Sequence, residues 1–191
     1  MSTRALILVD AQNDFCTGSL ATARGPEVAS KIAGYLTSDV AREQDYVAVV
    51  ATQDWHIDPG PHFSQDPDFV DSWPVHCVAG SPGAALHPAI DPGAIDAFFR
   101  KGEYEAAYSG FEGTLALHDD APGLATWLRE RGVDTLDICG IATDHCVRAT
   151  ALDALNAGFN VRILSGMCAA VNGERGDAAL HELHAAGAEL A

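Results

Sequence analysis

The chain has 191 residues, a length that fits one domain with a sizeable core and argues against two domains. Its 11 basic and 27 acidic residues give a formal net charge of −16, which argues against a nucleic-acid partner or an anionic membrane surface. The acidic residues are scattered along the chain, as expected for a surface that keeps a globular protein in solution.

Neither a targeting segment nor a membrane span is expected. No charged and apolar leader precedes the first apolar run, and no run approaches the ~20 residues that a membrane helix needs. The five cysteines are irregularly spaced and include no CxxC pair, which argues against a disulfide framework or a cysteine zinc site. We therefore expect a reduced, cytoplasmic location, while the sequence leaves a monomer and a homo-oligomer equally open.

Strand-like and helix-like segments alternate along the chain. The predicted strands are the runs 5–9, 46–52, 94–100, 133–139 and 160–165, with a short one at 188–191. The predicted helices are 27–43, 122–131, 149–157 and 174–186, and Asp119 or Asp120 is expected to cap the second of them. This alternation predicts an α/β fold, a three-layer, doubly wound (Rossmann-like) arrangement with a mostly parallel six-stranded sheet.

Residues 54–92 break this pattern. They hold seven of the nine prolines, so no long helix or strand is expected there, and so long a loop usually has a function. Asp54 and His56 are two residues apart, on one face of an extended segment, and His62 and His76 follow in the loop. Such an oxygen and nitrogen set suits Fe, Mn or Zn, although exposed loop histidines without a metal are the alternative.

Reactive side chains follow four of the predicted strands. Asp10, Asp54 and Lys101 end the first three strands, and Cys146 follows the fourth after a short turn. In doubly wound sheets, ligands bind outside the carboxyl ends of the strands, where the strand order reverses. We therefore expect these four side chains to meet in one crevice.

Cys146 is the predicted nucleophile. It lies where a strand turns into a helix, and the free N–H groups of a helix N-terminus stabilise a thiolate and a neighbouring oxyanion. Asp10 is the expected acceptor of the thiol proton, and Lys101 is expected to lower the pKa of the thiol and keep Asp10 ionised. The alternatives are a small buried hydrophobic residue, a turn aspartate and a surface lysine.

Three aromatic residues, Phe15, Trp73 and Tyr108, stand near these groups in the sequence. Together they are suited to sandwich a flat ring, although each alone is more often a packing residue.

Five motifs now carry a family resemblance. They are VDAQNDF (9–15), DWH (54–56), FRKG (99–102), YSGFEG (108–113) and GIATDHCV (140–147). In this order they resemble the nicotinamidases of the isochorismatase-like cysteine hydrolase family, as do HIDPGPHFS (56–64) and SWPVHCVAG (72–80). The resemblance covers nearly the whole chain. It implies a single isochorismatase-like hydrolase domain over residues 1–191, with a metal-binding loop at about 54–92.

The resemblance also implies a role for particular residues. The implied catalytic residues are Asp10, Lys101 and Cys146, and the implied oxyanion hole is formed by the amides of Ala142 and Cys146. One divalent metal ion (Fe, Mn or Zn) is implied, with the ligands Asp54, His56, His62 and His76. The implied substrate-binding residues are Phe15, Trp73, Tyr108, Ile141 and His145, with a cis peptide bond between Ile141 and Ala142. The segment 16–20 is one residue shorter than in the resembling enzymes, which leaves the contributions of Leu20 and Thr22 to the pocket open.

The implied activity is hydrolysis of nicotinamide to nicotinate and ammonia, and of pyrazinamide, through a cysteine acyl-enzyme. Three alternatives stay open at the level of the sequence. The fold is also suited to another small amide or a carbamoyl substrate. A metal-bound hydroxide is an alternative nucleophile, with Cys146 only structural. A metal-binding or redox-sensing module without catalysis is the third.

Overall fold

The strands and helices alternate as the sequence predicts. The structure, a computed structural model, describes residues 2–116 and 121–191. Its strands are β1 Arg4–Val9, β2 Ala48–Asp54, β3 Ala97–Lys101, β4 Thr114–Leu115, β5 Thr135–Ile141, β6 Asn160–Ala169 and β7 Glu189–Leu190. Its α-helices are α1 Asn13–Cys16, α2 Gly25–Leu36, α3 Asp39–Glu43, α4 Leu124–Glu130, α5 Arg148–Asn156 and α6 Gly173–Ala185. A π-helical turn, Thr143–Val147, leads directly into α5.

The sheet has the order β4-β3-β2-β1-β5-β6-β7, and every neighbouring pair is parallel except β3 and β4. From β1 the chain moves outward through β2 and β3, and it then returns to the other side of β1 with β5. The strand order therefore reverses at β1. The predicted doubly wound, mostly parallel α/β fold is confirmed, and the carboxyl ends of β1, β2, β3 and β5 lie side by side.

The core explains why β1 is a continuous apolar run. Residues 5–9 are all fully buried, as expected for a central parallel strand covered on both faces. Helix α2 packs against β5 and β6, while α5 packs against β6 and α6. Leu6, Ile7 and Leu8 have no exposed surface, and burying each such side chain contributes roughly 1.5–3 kcal/mol.

The predicted strands need three corrections. The sheet has seven strands rather than six, because β4 adds a two-residue antiparallel edge that is too short to leave a periodic pattern. The third strand begins at Ala97 rather than at residue 94, because Asp91 caps a 3₁₀ turn over Pro92–Ala94. The fifth predicted strand continues to Ala169, past Ser165.

The predicted helices also need corrections. The segment 27–43 forms two helices, because Ser38 leaves the helical conformation and its side chain accepts a hydrogen bond from the Ala41 amide at 3.1 Å. Helix α4 begins at Leu124 rather than at residue 122. The predicted cap at Asp119 or Asp120 lies outside the described residues.

Residues 55–92 contain no α-helix and no long strand, as the prolines predict, but they include the 3₁₀ turns Gly60–His62 and Pro82–Ala84. In the parts of the chain that the structure describes, no helix is both long and apolar enough to cross a bilayer.

Gly140, near the carboxyl end of strand β5, gives a stability prediction. Its φ of +126° lies in the region that favours glycine, and an added Cβ would stand 2.0 Å from the carbonyl oxygen of Val9. We expect Gly140→Ala to lower the free energy of unfolding by ~3 kcal/mol or more, measured by urea denaturation. Gly34→Ala, in helix α2 with nothing near its added Cβ, is the control, and should be neutral or stabilise by roughly 0.5–1 kcal/mol. Equal stability of the two variants would contradict this account of Gly140.

Candidate active site

Four reactive side chains meet at the carboxyl edge of the sheet. Asp10, Asp54, Lys101 and Cys146 are all buried, with at most 6% of any of them exposed. The Lys101 Nζ atom lies 2.9 Å from Asp10 Oδ2 and 3.7 Å from Cys146 Sγ, and it also contacts Asp54 Oδ1. The structure therefore brings together side chains at or just beyond the carboxyl ends of β1, β2, β3 and β5, as expected from the strand order.

Lys101 is the central charge of this cluster. Burial alone would lower its pKa, but the carboxylates of Asp10 and Asp54 outweigh burial and raise the pKa well above the ordinary value. Burial acts to raise the pKa of Asp54. The Lys101 charge and the neighbouring His56 and His76 together outweigh burial, so this pKa lies below its usual range. For Asp10, burial dominates over the attraction of Lys101, so its pKa is raised. Lys101 is thus a buried cation held between two acids.

The Cys146 thiol does not have the lowered pKa that we expected. Burial raises its pKa well above the ordinary value, and the opposing effect of Lys101 is smaller. The thiol is therefore protonated at rest, and an attack by sulfur needs a base within reach. One oxygen each of Asp10 and Asp54 and the Cys146 sulfur all lie within 4.8 Å of one another. A metal ion among these three atoms is disfavoured, because the Lys101 ammonium already contacts both carboxylates.

A widened first turn places Cys146. The Val147 amide donates to the Ala142 carbonyl at 3.0 Å, which closes a π-helical turn before α5 begins. The peptide bond between Ile141 and Ala142 is cis, as the resemblance implies. The Asp144 carboxylate accepts hydrogen bonds from the amides of Val171 at 2.9 Å and Asn172 at 3.1 Å, so it ties this turn to the loop before α6. Our sequence reasoning missed Asp144, whose only signal is an acid in the first turn of a helix.

Two histidines of the loop have a defined tautomer. The Nδ1 atom of His56 lies 2.6 Å from the carbonyl oxygen of Gly102, and that of His76 lies 2.7 Å from the carbonyl oxygen of Pro74. Because a carbonyl only accepts, both Nδ1 atoms carry hydrogen, and in the neutral imidazole each Nε2 atom then presents a lone pair. The two Nε2 atoms are 3.3 Å apart. The distance to Asp54 Oδ2 is 3.7 Å from His56 Nε2 and 3.8 Å from His76 Nε2.

His62 completes this group of donors. One of its ring nitrogens lies within 4.8 Å of those of His56 and His76, and its Nδ1 atom is buried without a hydrogen-bond partner in the described chain. Burial, together with the neighbouring histidines, lowers its pKa to about 4, which leaves a neutral imidazole.

These donors fit a divalent metal ion. Lone pairs that face one another at these distances repel unless a cation lies between them. Two ligands that are each ~2.1 Å from an ion stand at most ~4.2 Å apart, and the separations of 3.3–3.8 Å among Asp54, His56 and His76 meet this limit. The histidine and carboxylate set suits several divalent ions and does not select one.

A cavity of about 270 Å³ joins the two clusters. It is small for a ligand pocket, typically ~300–1,000 Å³, and so suits a compound with a single ring. From the predicted set its lining includes Phe15, Asp54, His62, Trp73, His76, Tyr108, Ala142, His145 and Cys146. Residues that line it without having been predicted include Ser19, Ala21, Phe69 and Val171.

The cavity lining differs from the expected set at Ile141, and it includes Leu20 but not Thr22. Ile141, expected to contact substrate, is fully buried in β5 and does not line the cavity, because its side chain points into the core of the sheet. Leu20 does line the cavity, whereas the Thr22 hydroxyl donates to the carbonyl of Phe15 at 3.1 Å and is turned away from it.

The aromatic wall is held by its own contacts. The Trp73 Nε1 atom donates to the Tyr108 hydroxyl at 3.0 Å. The His145 ring meets Trp73 edge-on with centroids 5.0 Å apart, and it stacks on Tyr108 at 6.0 Å. Such a wall offers flat apolar faces to a planar ligand with little loss of side-chain freedom.

The fold and this cluster together define a hydrolase with a buried cysteine beside a site for a divalent metal. The family model described as the isochorismatase domain matches residues 4–191, and the chain belongs to that family. It is similar to the nicotinamidase/pyrazinamidase of Mycobacterium tuberculosis, with 53% identity over 98% of this chain and 97% of that protein.

Solved structures agree with this placement. The crystal structure of PnC1 from L. infantum in complex with nicotinate is similar to this chain with a TM-score of 0.84 and 34% identity, covering 100% of this chain and 92% of that one. The pyrazinamidase of Pyrococcus horikoshii in complex with zinc has a TM-score of 0.81 and 35% identity, covering 98% of each chain.

Proposed function

We propose that this protein is an amidohydrolase, a nicotinamidase that hydrolyses nicotinamide to nicotinate and ammonia and also acts on pyrazinamide. The observation that carries the proposal is one small cavity that has Cys146 on one side and a set of metal donors on the other. The near full-length similarity to the M. tuberculosis nicotinamidase/pyrazinamidase supports the same substrates.

Asp10, Lys101 and Cys146 are the proposed catalytic residues. The Cys146 sulfur attacks the carboxamide carbon as Asp10 takes the thiol proton, which forms a C–S bond. Asp10 returns that proton to the nitrogen, the C–N bond breaks and ammonia leaves. Water then adds to the thioester, which gives nicotinate and restores the thiol. The Lys101 ammonium, 2.9 Å from Asp10 Oδ2, favours the ionised form of Asp10 against the effect of burial.

The oxyanion of each tetrahedral intermediate needs donors beside the cysteine. We assign this role to the backbone amides of Ala142, just before the widened turn, and of Cys146, near its end. Each such donor contributes roughly 3 kcal/mol to the stabilisation of the transition state.

The proposed metal ligands are Asp54, His56, His62 and His76. When bound there, a divalent ion supplies a Lewis acid that anchors a ring nitrogen of the substrate. The aromatic residues Phe15, Trp73 and Tyr108, with His145, hold the ring against this end of the cavity. Zinc, which the P. horikoshii relative binds, is one of three candidate ions with Fe and Mn.

The direct test measures ammonia release from nicotinamide. We expect turnover by the metal-loaded protein, a fall of roughly 100-fold after chelation because the ring loses its anchor, and recovery on adding Zn²⁺, Mn²⁺ or Fe²⁺. Benzamide, which has no ring nitrogen, is the matched control, and its slow hydrolysis should not respond to chelation. A loaded protein that releases no ammonia from nicotinamide would refute the proposed function.

This assay also separates the alternatives. Another small amide or a carbamoyl compound is disfavoured, because a plain amide has no ring nitrogen for the metal end of the cavity. A redox-sensing module without catalysis predicts no ammonia at all. We further propose that residues 1–191 form a single domain, while the cytoplasmic location and the oligomeric state stay predictions.

A further inference from the structure

Two buried polar side chains link the ends of β1 and β2 in a reciprocal way. Thr52 of β2 donates its hydroxyl hydrogen to Asp10 Oδ1 at 2.6 Å, and Gln12, beyond β1, holds the backbone of Asp54. Both pairs are separated by 42 residues, because the two strands are parallel and in register. The end of each strand, or the segment just beyond it, therefore supplies the side chain that holds the acid of the other.

We propose that Thr52 and Gln12 are positioning residues with separable tasks. Thr52 orients Asp10 for proton transfer with the cysteine, and Gln12 fixes Asp54 for metal binding. This inference rests on the proposed function, since it assigns a partner to each of its two acids.

The Thr52 hydroxyl forms two hydrogen bonds with Asp10. Asp10 has a φ of +45°, and its amide donates to the Thr52 hydroxyl oxygen at 3.2 Å. The same hydroxyl donates to Oδ1, so one group fixes both the backbone and the carboxylate plane. The other oxygen, Oδ2, is then the one that lies 2.9 Å from Lys101 Nζ and keeps a lone pair for the thiol proton. Both residues are fully buried, so water offers no substitute for the hydroxyl.

The methyl group of Thr52 has a separate, structural task. A Cβ added at Gly110 would stand 2.6 Å from the Thr52 Cγ2 atom, so this methyl group is closely packed. Valine keeps the packing and removes the hydroxyl, while serine keeps the hydroxyl and removes the methyl group. The two variants therefore separate orientation of Asp10 from packing.

Gln12 uses both of its amide hydrogens and its carbonyl oxygen to hold the backbone of neighbouring segments. Its Oε1 atom accepts from the Asp54 amide at 2.9 Å, and its Nε2 atom donates to the carbonyls of Asp54 and Ala84, each at 2.8 Å. The side chain is fully buried, and only an amide both donates two hydrogens and accepts one here. Gln12 thereby fixes the backbone from which the Asp54 carboxylate reaches His56, His76 and Lys101.

The test of Thr52 is a comparison of kcat and KM for nicotinamide. We expect Thr52→Val to lower kcat by roughly 10–100-fold with KM and metal content unchanged, and Thr52→Ser to stay within about 3-fold of the wild type. Thr52→Ala and Thr52→Ser also differ by the hydroxyl alone, and they replace this pair if the valine protein does not fold. A valine variant with wild-type kcat, or a serine variant as slow as valine, would overturn the assignment.

The test of Gln12 is zinc release from the zinc-loaded protein to a chromogenic chelator. We expect Gln12→Glu, which cannot donate to the two carbonyls, to release zinc at least about 10-fold faster, while Thr52→Val releases it at the wild-type rate. Gln12→Asn, one methylene shorter, is the second variant should the first not fold. Wild-type release from the Gln12 variants, or fast release from Thr52→Val, contradicts separate tasks. Zinc release does not depend on turnover. If the wild-type protein does not hydrolyse nicotinamide, the proposed function is refuted, while the role of Gln12 in metal binding is still tested by zinc release.

Discussion

Replacement of Cys146 by alanine is expected to lower kcat for nicotinamide by about 10⁴-fold or more, because the variant has no atom that forms the thioester. The cavity, the metal donors and the aromatic wall remain, so binding of nicotinate, measured by calorimetry, should change little. Steady-state ammonia release gives kcat.

Cys139→Ala is the matched control for Cys146. Cys139 is buried like Cys146, but it lies inside β5 and its sulfur faces the carbonyl of Ile7 at 3.8 Å. Its loss should reduce stability and leave kcat within a few-fold of the wild type. Near-normal turnover by Cys146→Ala would instead favour a metal-bound hydroxide as the nucleophile.

Asp10→Asn is expected to have the second largest effect, a fall in kcat of roughly 10³-fold with a small change in KM. The amide has nearly the same shape, but it does not accept the thiol proton. Since burial keeps the Cys146 thiol protonated, the reaction then lacks its base. Steady-state kinetics with nicotinamide provide both constants.

Asp137→Asn is the control for removal of a buried acid. Asp137 is a fully buried carboxylate in β5 that pairs with Arg4 at 2.8 Å and with Arg162, away from the cavity. Its variant should lose a few kcal/mol of stability, because two arginines lose their partner, and keep a wild-type kcat. If both variants lose stability and neither loses kcat, Asp10 is a structural acid and not the base.

The convergence of the site was predictable from the sequence for a simple reason. Apolar runs such as residues 5–9 identify buried parallel strands, and a charged residue at the end of such a run has to find a partner at the edge of the sheet. Asp10, Asp54 and Lys101 follow this rule. The histidines of the loop were recognisable by residue type and by the resemblance, while only the fold shows that they meet.

Features set by one or two residues were not predictable. Strand β4 has only two residues, and the break between α2 and α3 depends on one serine, Ser38. Neither feature is long enough to alter the spacing of apolar residues in the sequence. The thiol of Cys146 was predicted to be acidic from its helix position, but the depth of its burial decides the direction of the pKa shift. Thr52 and Gln12 are ordinary polar residues in the sequence, and their tasks depend on the pairing of β1 with β2.

The central claim is that nicotinamide hydrolysis proceeds through a thioester on Cys146. It is tested most directly by acid quench of the metal-loaded protein during turnover, followed by peptide mass spectrometry. We predict that the peptide containing Cys146 gains the mass of one nicotinoyl group, and that the adduct disappears when nicotinamide is exhausted. An adduct on another residue, or an unmodified Cys146 at every quench time while ammonia is released, would contradict the account.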